Sequence, residues 1–287
     1  MTQKGVYMDV TTVLLLILIS AIVITGLILL VLSLIEPHKL NVTKETLSDN
    51  AAACNPDLRI LFFSDLHAEF CFIPKEKTAA LIREEAQGKG LDAVIFGGDI
   101  VNNPKRYKVG AEYLTYIAET CSELGIPFEG VTGNHDVQIP ANGIAECSFH
   151  NISGGYTVLR SRRDGSDIAL SGICDSGRKH RVWYELPNIP DGCSKNIVIA
   201  HNPDQILHIE DCTKVDYMIS GHIHGGQIRT PFKVEFKVLR KDTLPKYDVT
   251  AGTYKINGIT LFISKGIGCV RLPMRLGAKP EINIIEI

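Results

Sequence analysis

No C-x-x-C pair occurs among the eight cysteines (Cys54, Cys71, Cys121, Cys147, Cys174, Cys193, Cys212 and Cys269). Zinc-ribbon spacing is thereby excluded. A clustered Lys/Arg block is missing as well, since 30 basic residues face 32 acidic ones for a formal charge of −2. Nucleic-acid binding driven by phosphate neutralisation needs such a stripe, so composition gives that partner no support. Internal repeats are absent, as are low-complexity segments outside one apolar run. An even cysteine count permits disulfides in an oxidising compartment, but isolated cysteines in a chain this long read better as small buried thiols. At 287 residues the chain suits one large domain or two small ones. A sizeable core is feasible, because a chain of about 300 residues buries roughly 75% of its unfolded surface.

What is present begins with a segment suited to another solvent. From Val13 to Ile35 there is no charge, and only Ser20, Thr25, Gly26 and Ser33 interrupt the aliphatics. As a helix it spans about 34 Å, enough for a hydrocarbon core of about 30 Å. A buried soluble helix would keep a polar face. A cleaved signal peptide would have a shorter apolar region, roughly 7–15 residues, followed by a small-x-small site that is missing here. The segment therefore reads as a single-pass cell-membrane anchor. Lys4 and the terminal amine precede it while Lys39 and Lys44 follow it, so the positive-inside count is balanced. Residues 1–36 are read as tail and anchor, 37–57 as a polar linker containing Asn50-Ala51-Ala52-Ala53, and 58–287 as the folded domain.

Beyond the linker the pattern alternates. Ile60-Leu61-Phe62-Phe63 is a short apolar run ending in Ser64-Asp65, and a helical stretch follows over about 75–86. Ala93-Val94-Ile95-Phe96 then ends in Gly97-Gly98-Asp99, a helical pattern covers about 109–124, and 127–131 leads into Gly133-Asn134-His135. Apolar strand, loop and helix in turn are the βαβ signature. The second half holds short strands over 156–159, 168–173, 196–200, 217–220, 260–264 and 282–287, with a hairpin turn at Arg163-Asp164-Gly165-Ser166. Together these predict an α/β fold of two β-rich halves packed face to face, with helices outside and ligand loops on one rim.

Five stretches carry chemistry: Asp65-Leu66-His67, Gly97-Gly98-Asp99, Gly133-Asn134-His135-Asp136, His201-Asn202 and Gly221-His222-Ile223-His224. Each follows an apolar run, where the carboxyl end of a strand would present it. Five of the nine histidines sit in these stretches. His-x-His alone is weak evidence, and Gly-Asn-His-Asp alone is moderate. All five in order are strong. Asp, His and Asn donors without thiolate suit Mn, Zn or Fe. Seven such donors exceed one tetrahedral ion but fit two ions sharing a carboxylate. Ions about 3.5–4 Å apart clamp the attacking and leaving oxygens of an in-line displacement.

In these residues the chain resembles the calcineurin-like metallophosphoesterase superfamily, whose pattern is D-x-H, G-D, G-N-H-[DE], H and G-H-x-H. The resemblance runs from about Leu58 to the C-terminus. It is similar in particular to a membrane-anchored or exported bacterial branch, through Gly225-Gly226-Gln227, Ser264, Gly266, Gly268, Pro273-Met274-Arg275 and Pro280-Glu281-Ile282. The fold it implies is a four-layer αββα sandwich, two mixed sheets flanked by helices. It implies that Asp65, His67 and His224 hold one divalent ion, that Asn134, His201 and His222 hold a second, and that Asp99 bridges them. His135 is implied as general acid or charge stabiliser for the leaving group, with Asp136 orienting its imidazole. Exported relatives point the domain outward, whereas isolated cysteines point to a reducing compartment.

The expectation is a dinuclear phosphodiesterase or pyrophosphatase acting on a phosphorylated small molecule or a lipid-linked substrate. The superfamily includes hydrolases of nucleotide-linked acyl sugars, so a UDP-diacylglucosamine-like lipid A precursor fits the anchor. Alternatives are a non-catalytic metal-stabilised membrane scaffold and a membrane-tethered nuclease. Outside the motifs, His38, His150, His180 and His208 have no partner pattern and read as surface or satisfied positions. Asn102-Asn103 reads as a turn before Pro104 or as site lining. Arg271 and Arg275 are candidates for a substrate phosphate. Trp183 reads as core or lid, and Val270, Leu272, Pro273 and Met274 as core or as a lip for acyl chains.

Overall fold

The computed structural model describes residues 9–48, 56–177, 182–238 and 240–287. Lys4, the stretch Asn50-Ala51-Ala52-Ala53, Cys54 and His180 lie outside the described residues. Among the described residues, seven cysteines are free thiols.

Helix α1 (Val10–Ile35) is capped by the Asp9 side chain, and Ser33 is its one buried residue. Among the described residues twelve strands follow: β1 (Asn41–Thr46), β2 (Arg59–Phe63), β3 (Ala93–Phe96), β4 (Phe128–Gly130), β5 (His150–Asn151), β6 (Tyr156–Arg160), β7 (Asp167–Ile173), β8 (Lys195–Ala200), β9 (Tyr217–Ser220), β10 (Gly252–Ile256), β11 (Ile259–Ile263) and β12 (Glu281–Glu286). They form two mixed six-stranded sheets, ordered β1-β12-β2-β3-β4-β5 and β10-β11-β9-β8-β7-β6. The strands predicted from apolar runs are all present.

Strand alternation sorts the apolar residues between layers. Ile60, Phe62 and Ile95 of the first sheet meet Leu170, Ile197, Ile199 and Phe262 of the second in the inter-sheet core. Leu61, Phe63, Val94 and Phe96 point the other way, onto helices α2 (Lys75–Gln87) and α3 (Tyr107–Glu123) through Ile82, Leu114 and Ile117. Burial on both faces explains why β2 reads as a continuous apolar run. The outer face of the second sheet is covered by short 3-10 turns, such as Pro203–His208 and Leu244–Tyr247, and one helical turn at Val234–Lys237.

The expected linker over 37–57 is a correction. Residues 41–46 form strand β1, parallel to β12 with Asn41 opposite Glu281 and Thr46 opposite Glu286. Nothing local announces it, because Asn-Val-Thr-Lys-Glu-Thr has little apolar content and its partner lies some 240 positions away. Pro37 is buried, and Leu40 packs on the helix-side core. The chain is thus integrated with the domain directly below α1.

Asp57, also in that expected linker, fastens the rim opposite the ligand loops. Its carboxylate accepts from Lys195 Nζ at 2.5 Å, Ser161 Oγ at 2.8 Å and Arg163 Nη2 at 3.0 Å, joining the two sheets. Burial alone would raise this carboxyl, but Lys195, Ser161 and Arg163 outweigh it and hold it below its usual range. A depressed folded-state value contributes stability above the unfolded value of about 3.9 and loses it as pH falls further. Asp57→Ala should therefore destabilise the domain by about 1–3 kcal/mol at pH 7. Denaturant unfolding checks this, and the gap to the parent should narrow below about pH 4.

Candidate metal centre

Every motif sits just past the carboxyl end of a strand, on one rim. Asp65 and His67 follow β2, Asp99 follows β3, Asn134, His135 and Asp136 follow β4, His201 follows β8, and His222 and His224 follow β9. Reaching the rim forces unusual backbone: Asp65, His67, Asp99, His222 and His224 all have positive φ, between 39° and 69°. Each such residue costs about 1–3 kcal/mol and persists only where its surroundings dictate it. Cross-loop bonds do so here, including Asp65 N–H to Gly98 O at 2.8 Å and His67 N–H to Asp99 O at 3.0 Å. The motif glycines allow this approach. A Cβ on Gly133 would lie 2.3 Å from Asp99 Oδ1, and one on Gly221 would lie 2.4 Å from Asp65 Oδ2.

The donors form three overlapping groups: Asp65, His67 and His224; His67, Asp99 and His135; and Asp99, His201 and His222. His224 Nε2 is 3.2 Å from both Asp65 Oδ1 and His67 Nε2. Asp99 Oδ2 is 3.2 Å from His201 Nε2, 3.5 Å from His67 Nε2 and 4.0 Å from His135 Nε2. One carboxylate thus touches each group or its members. Asn134 lines the same cavity, and its Oδ1 is buried with no hydrogen-bond partner among the described residues.

Burial pushes the His67 imidazole down to about 3, and it holds His224 well below its ordinary value. Two neutral rings with facing nitrogens, a nearby carboxylate and the orphaned Asn134 oxygen match a cation-binding donor set. Burial alone would raise Asp99, but His201 and His135 keep its carboxyl well below the usual range. His201 Nδ1 lies 2.7 Å from the Gly97 carbonyl, which only accepts, so Nδ1 carries hydrogen and Nε2 is the atom turned to the centre. Burial would lower this ring, but Asp99 beside Nε2 holds it well above its ordinary value.

Asp136 differs from its expected role. Its oxygens accept the amides of Asp99, Ile100 and Gly133, each at 2.8 Å, so it braces two loops. Burial, with Asp99 close by, pushes this carboxyl up to about 7, against amide donors that favour the anion. The atom facing His135 Nδ1 is the Asn102 carbonyl, at 3.3 Å. Asn102 also ties the rim together, donating to Cys269 O at 3.0 Å and accepting the Arg271 amide at 3.2 Å. Arg275 is not a phosphate ligand. It is fully buried, and its guanidinium donates to the carbonyls of Lys265, Gly266, Gly268 and Ala278.

A cavity of about 630 Å³ opens above the donors. Arg240, Lys241 and Arg271 bring positive charge to it, while Val182, Trp183, Ile228, Val270 and Leu272 supply apolar wall. Trp183 stacks on His208 with ring centroids 4.0 Å apart.

One residue in contact with a predicted ligand escaped sequence reasoning. Asp242 is buried, with Oδ1 3.3 Å from His222 Nε2 and Oδ2 accepting from Arg240 Nε at 2.8 Å. Arg240 also donates to the His222 carbonyl at 3.0 Å. Burial alone would raise Asp242, but His222 and Arg240 hold its carboxyl well below the usual range. With Nε2 donating to a carboxylate, the lone pair of His222 sits on Nδ1. An isolated acid 20 positions downstream gives no local signal of this.

The family model for calcineurin-like phosphoesterases matches residues 58–226. An uncharacterized metallophosphoesterase of Bacillus subtilis, YkuE, is 30% identical over 269 residues, covering 88% of this chain and 87% of its own. The phosphodiesterase YaeI of Escherichia coli is 27% identical over 249 residues, covering 83% and 84%. Among solved structures, TT1561 of Thermus thermophilus aligns with a TM-score of 0.41 at 12% identity, over 73% of this chain and 90% of that one. That last likeness is too loose to bear on the site.

Asp242→Asn should weaken divalent-metal affinity by about 10–100-fold. Titration calorimetry with Mn²⁺ on the folded protein checks this, and an unchanged affinity would show that the carboxylate does not set the ring's tautomer.

Proposed function

The chain belongs to the calcineurin-like phosphoesterase family, and from that premise we propose a metal-dependent phosphodiesterase or pyrophosphatase acting on a membrane-associated, lipid-linked phosphate. Phosphoester hydrolysis at a divalent-metal centre is the part that family membership and the clustered His/Asp groups support together. The finer reading rests on three further observations. The Escherichia coli relative is named a phosphodiesterase. Helix α1 is long and apolar enough to cross a membrane. The cavity adds cationic and apolar side chains beyond the metal-type donors.

The observation that carries the reading is the shared carboxylate. Asp99 Oδ2 approaches His201 Nε2 at 3.2 Å and His67 Nε2 at 3.5 Å, between the donor groups expected for two ions. Asp65, His67 and His224 would hold one cation of Mn, Zn or Fe type, and Asn134, His201 and His222 a second, with Asp99 common to both. When bound, such ions supply Lewis acidity and a nucleophilic water at neutral pH.

The remaining work falls to the chain's own side chains. His135 would act as an imidazolium, its Nδ1–H held by the Asn102 carbonyl while its Nε2–H is given to the leaving oxygen, which leaves a neutral ring. Asp136 fixes the Asp99 and Gly133 loops, so the donors need little reorganisation. Lys241 and Arg271 meet phosphate charge that the metal-type donors leave uncovered. Ile228, Val270 and Leu272 exclude water and receive an apolar substrate part. No observation favours a non-catalytic scaffold, which needs no acid such as His135, or a nuclease, which needs a longer cationic groove.

Purified full-length protein should hydrolyse bis(p-nitrophenyl) phosphate with Mn²⁺, and should release a phosphate or a nucleoside monophosphate from a lipid-linked pyrophosphate. His135→Ala should lower kcat by about 10²–10⁴-fold with metal content retained. Asp99→Asn should lose both metal and turnover. Parental turnover by Asp99→Asn would refute the assignment, and failure on the lipid alone would remove the substrate class but not the chemistry.

A further inference from the structure

An apolar surface beside the cavity has no partner among the described residues. Phe232 is 90% exposed, Tyr247 76%, Val238 72% and Leu272 53%. Single exposed apolar residues are ordinary, whereas a contiguous set marks a contact surface. Bonds across the rim tether the segments that carry these four. Lys233, next to Phe232, pairs with Asp248, next to Tyr247, at 2.7 Å. The turn Val234–Lys237, ending at Val238, packs on the turn Leu244–Tyr247. Gln227 Nε2 donates to the carbonyls of Val270 and Leu272 at 3.0 and 3.1 Å. Phe232 and Lys233 both have positive φ, a conformation that side chains rarely adopt, at the point where the ring projects outward.

The end of α1 docks into the same rim. The Arg275 amide donates to Ser33 O at 2.9 Å. The Glu36 carboxylate accepts the amides of Gly277 and Ala278 at 3.0 and 2.6 Å. Arg229 packs on Gly277, and its amide donates to Leu276 O at 2.8 Å. Three residues of extended chain span at most about 11 Å, so Phe232 stays near the point where α1 leaves the domain. Lys237, Lys246, Arg271 and Lys279 are exposed around it. The acids of this region are occupied: Asp248 pairs with Lys233, Glu36 takes two amides, and Glu235 is buried against Thr230.

We propose that Phe232, Val238, Tyr247 and Leu272 form a membrane-contact face that lies on the bilayer crossed by α1 and presses the cavity mouth against lipid. This rests on α1 being a membrane anchor. Aromatic and aliphatic side chains ringed by cations suit the boundary between acyl chains and anionic headgroups. The mouth residues Arg271 and Leu272 belong to the same segment, so a phosphorylated headgroup reaches the donors without leaving the membrane surface.

Trp183 is the only tryptophan, which makes the test direct. Single-tryptophan forms of the full chain would be made in a Trp183→Phe background, carrying Phe232→Trp, Leu272→Trp, Ile22→Trp in mid-helix, or Tyr156→Trp on the far edge of the second sheet. Each goes into nanodiscs of phosphatidylcholine and phosphatidylglycerol with brominated acyl chains. Insertion of about 5–10 Å should remove roughly half of the emission at positions 232 and 272. Ile22→Trp should be quenched more strongly and Tyr156→Trp left at baseline. If Ile22→Trp is quenched while 232 and 272 stay at baseline, the contact face is wrong and the anchor stands. If none is quenched, both fall.

Discussion

Three amide hydrogens pointed at one buried carboxylate hold the ligand rim in shape. Asp136 accepts from Asp99, Ile100 and Gly133, which belong to the loops after β3 and β4. Hydrogen bonds to a carboxylate are about twice as strong as neutral ones. They fix Asp99 at φ 62°, a position it would otherwise leave. Asp99 in turn accepts the His135 amide at 2.8 Å. The residue expected to orient the His135 ring therefore acts on backbone, and the Asn102 carbonyl faces the ring instead.

Sheet geometry decides why so many donors converge. Five strands end on one rim, and the core between the sheets fixes their separation through Phe62, Ile95, Ile199 and Ile219. Close packing transmits position with little slack. The loops carry strain in left-handed residues, and the cross-loop bonds that oppose it also set the donor spacing. Asp65 illustrates the coupling: its carboxylate accepts Ser64 Oγ at 2.6 Å and the His222 amide at 3.1 Å while standing 3.2 Å from His224 Nε2.

A second chain of contacts links the apolar helix to that centre. Arg275 donates its amide to Ser33 O, and its guanidinium lies 3.5 Å from His224 Nδ1 while gripping the 265–268 loop. Ile267 and Gly268 of this loop donate to the carbonyls of Ser64 and Asp65. One buried arginine therefore separates the end of α1 from a metal-type ligand. The 41–46 strand shortens the connection further, since it leaves only a few residues between helix and sheet.

Residue chemistry and local period determined much by themselves. The apolar runs of β2, β3, β8 and β9 marked strands because burial on both faces is written as a continuous apolar stretch of four to six residues. The five motifs named candidate donors because ligand type is a property of the side chain, and strand ends told on which rim they would gather. What only the tertiary structure decided depends on partners far apart in the chain. Strand β1 exists because β12 offers it a free edge. Arg275 is a buried brace because four carbonyls surround it. Asp242 serves His222 because the Asp204 carboxylate holds the next two amides, those of Thr243 and Leu244. The β1 and Asp242 contacts join residues some 240 and 20 positions apart, and the Arg275 bonds depend on how the loop over 265–278 folds back on itself, so no local pattern encodes them.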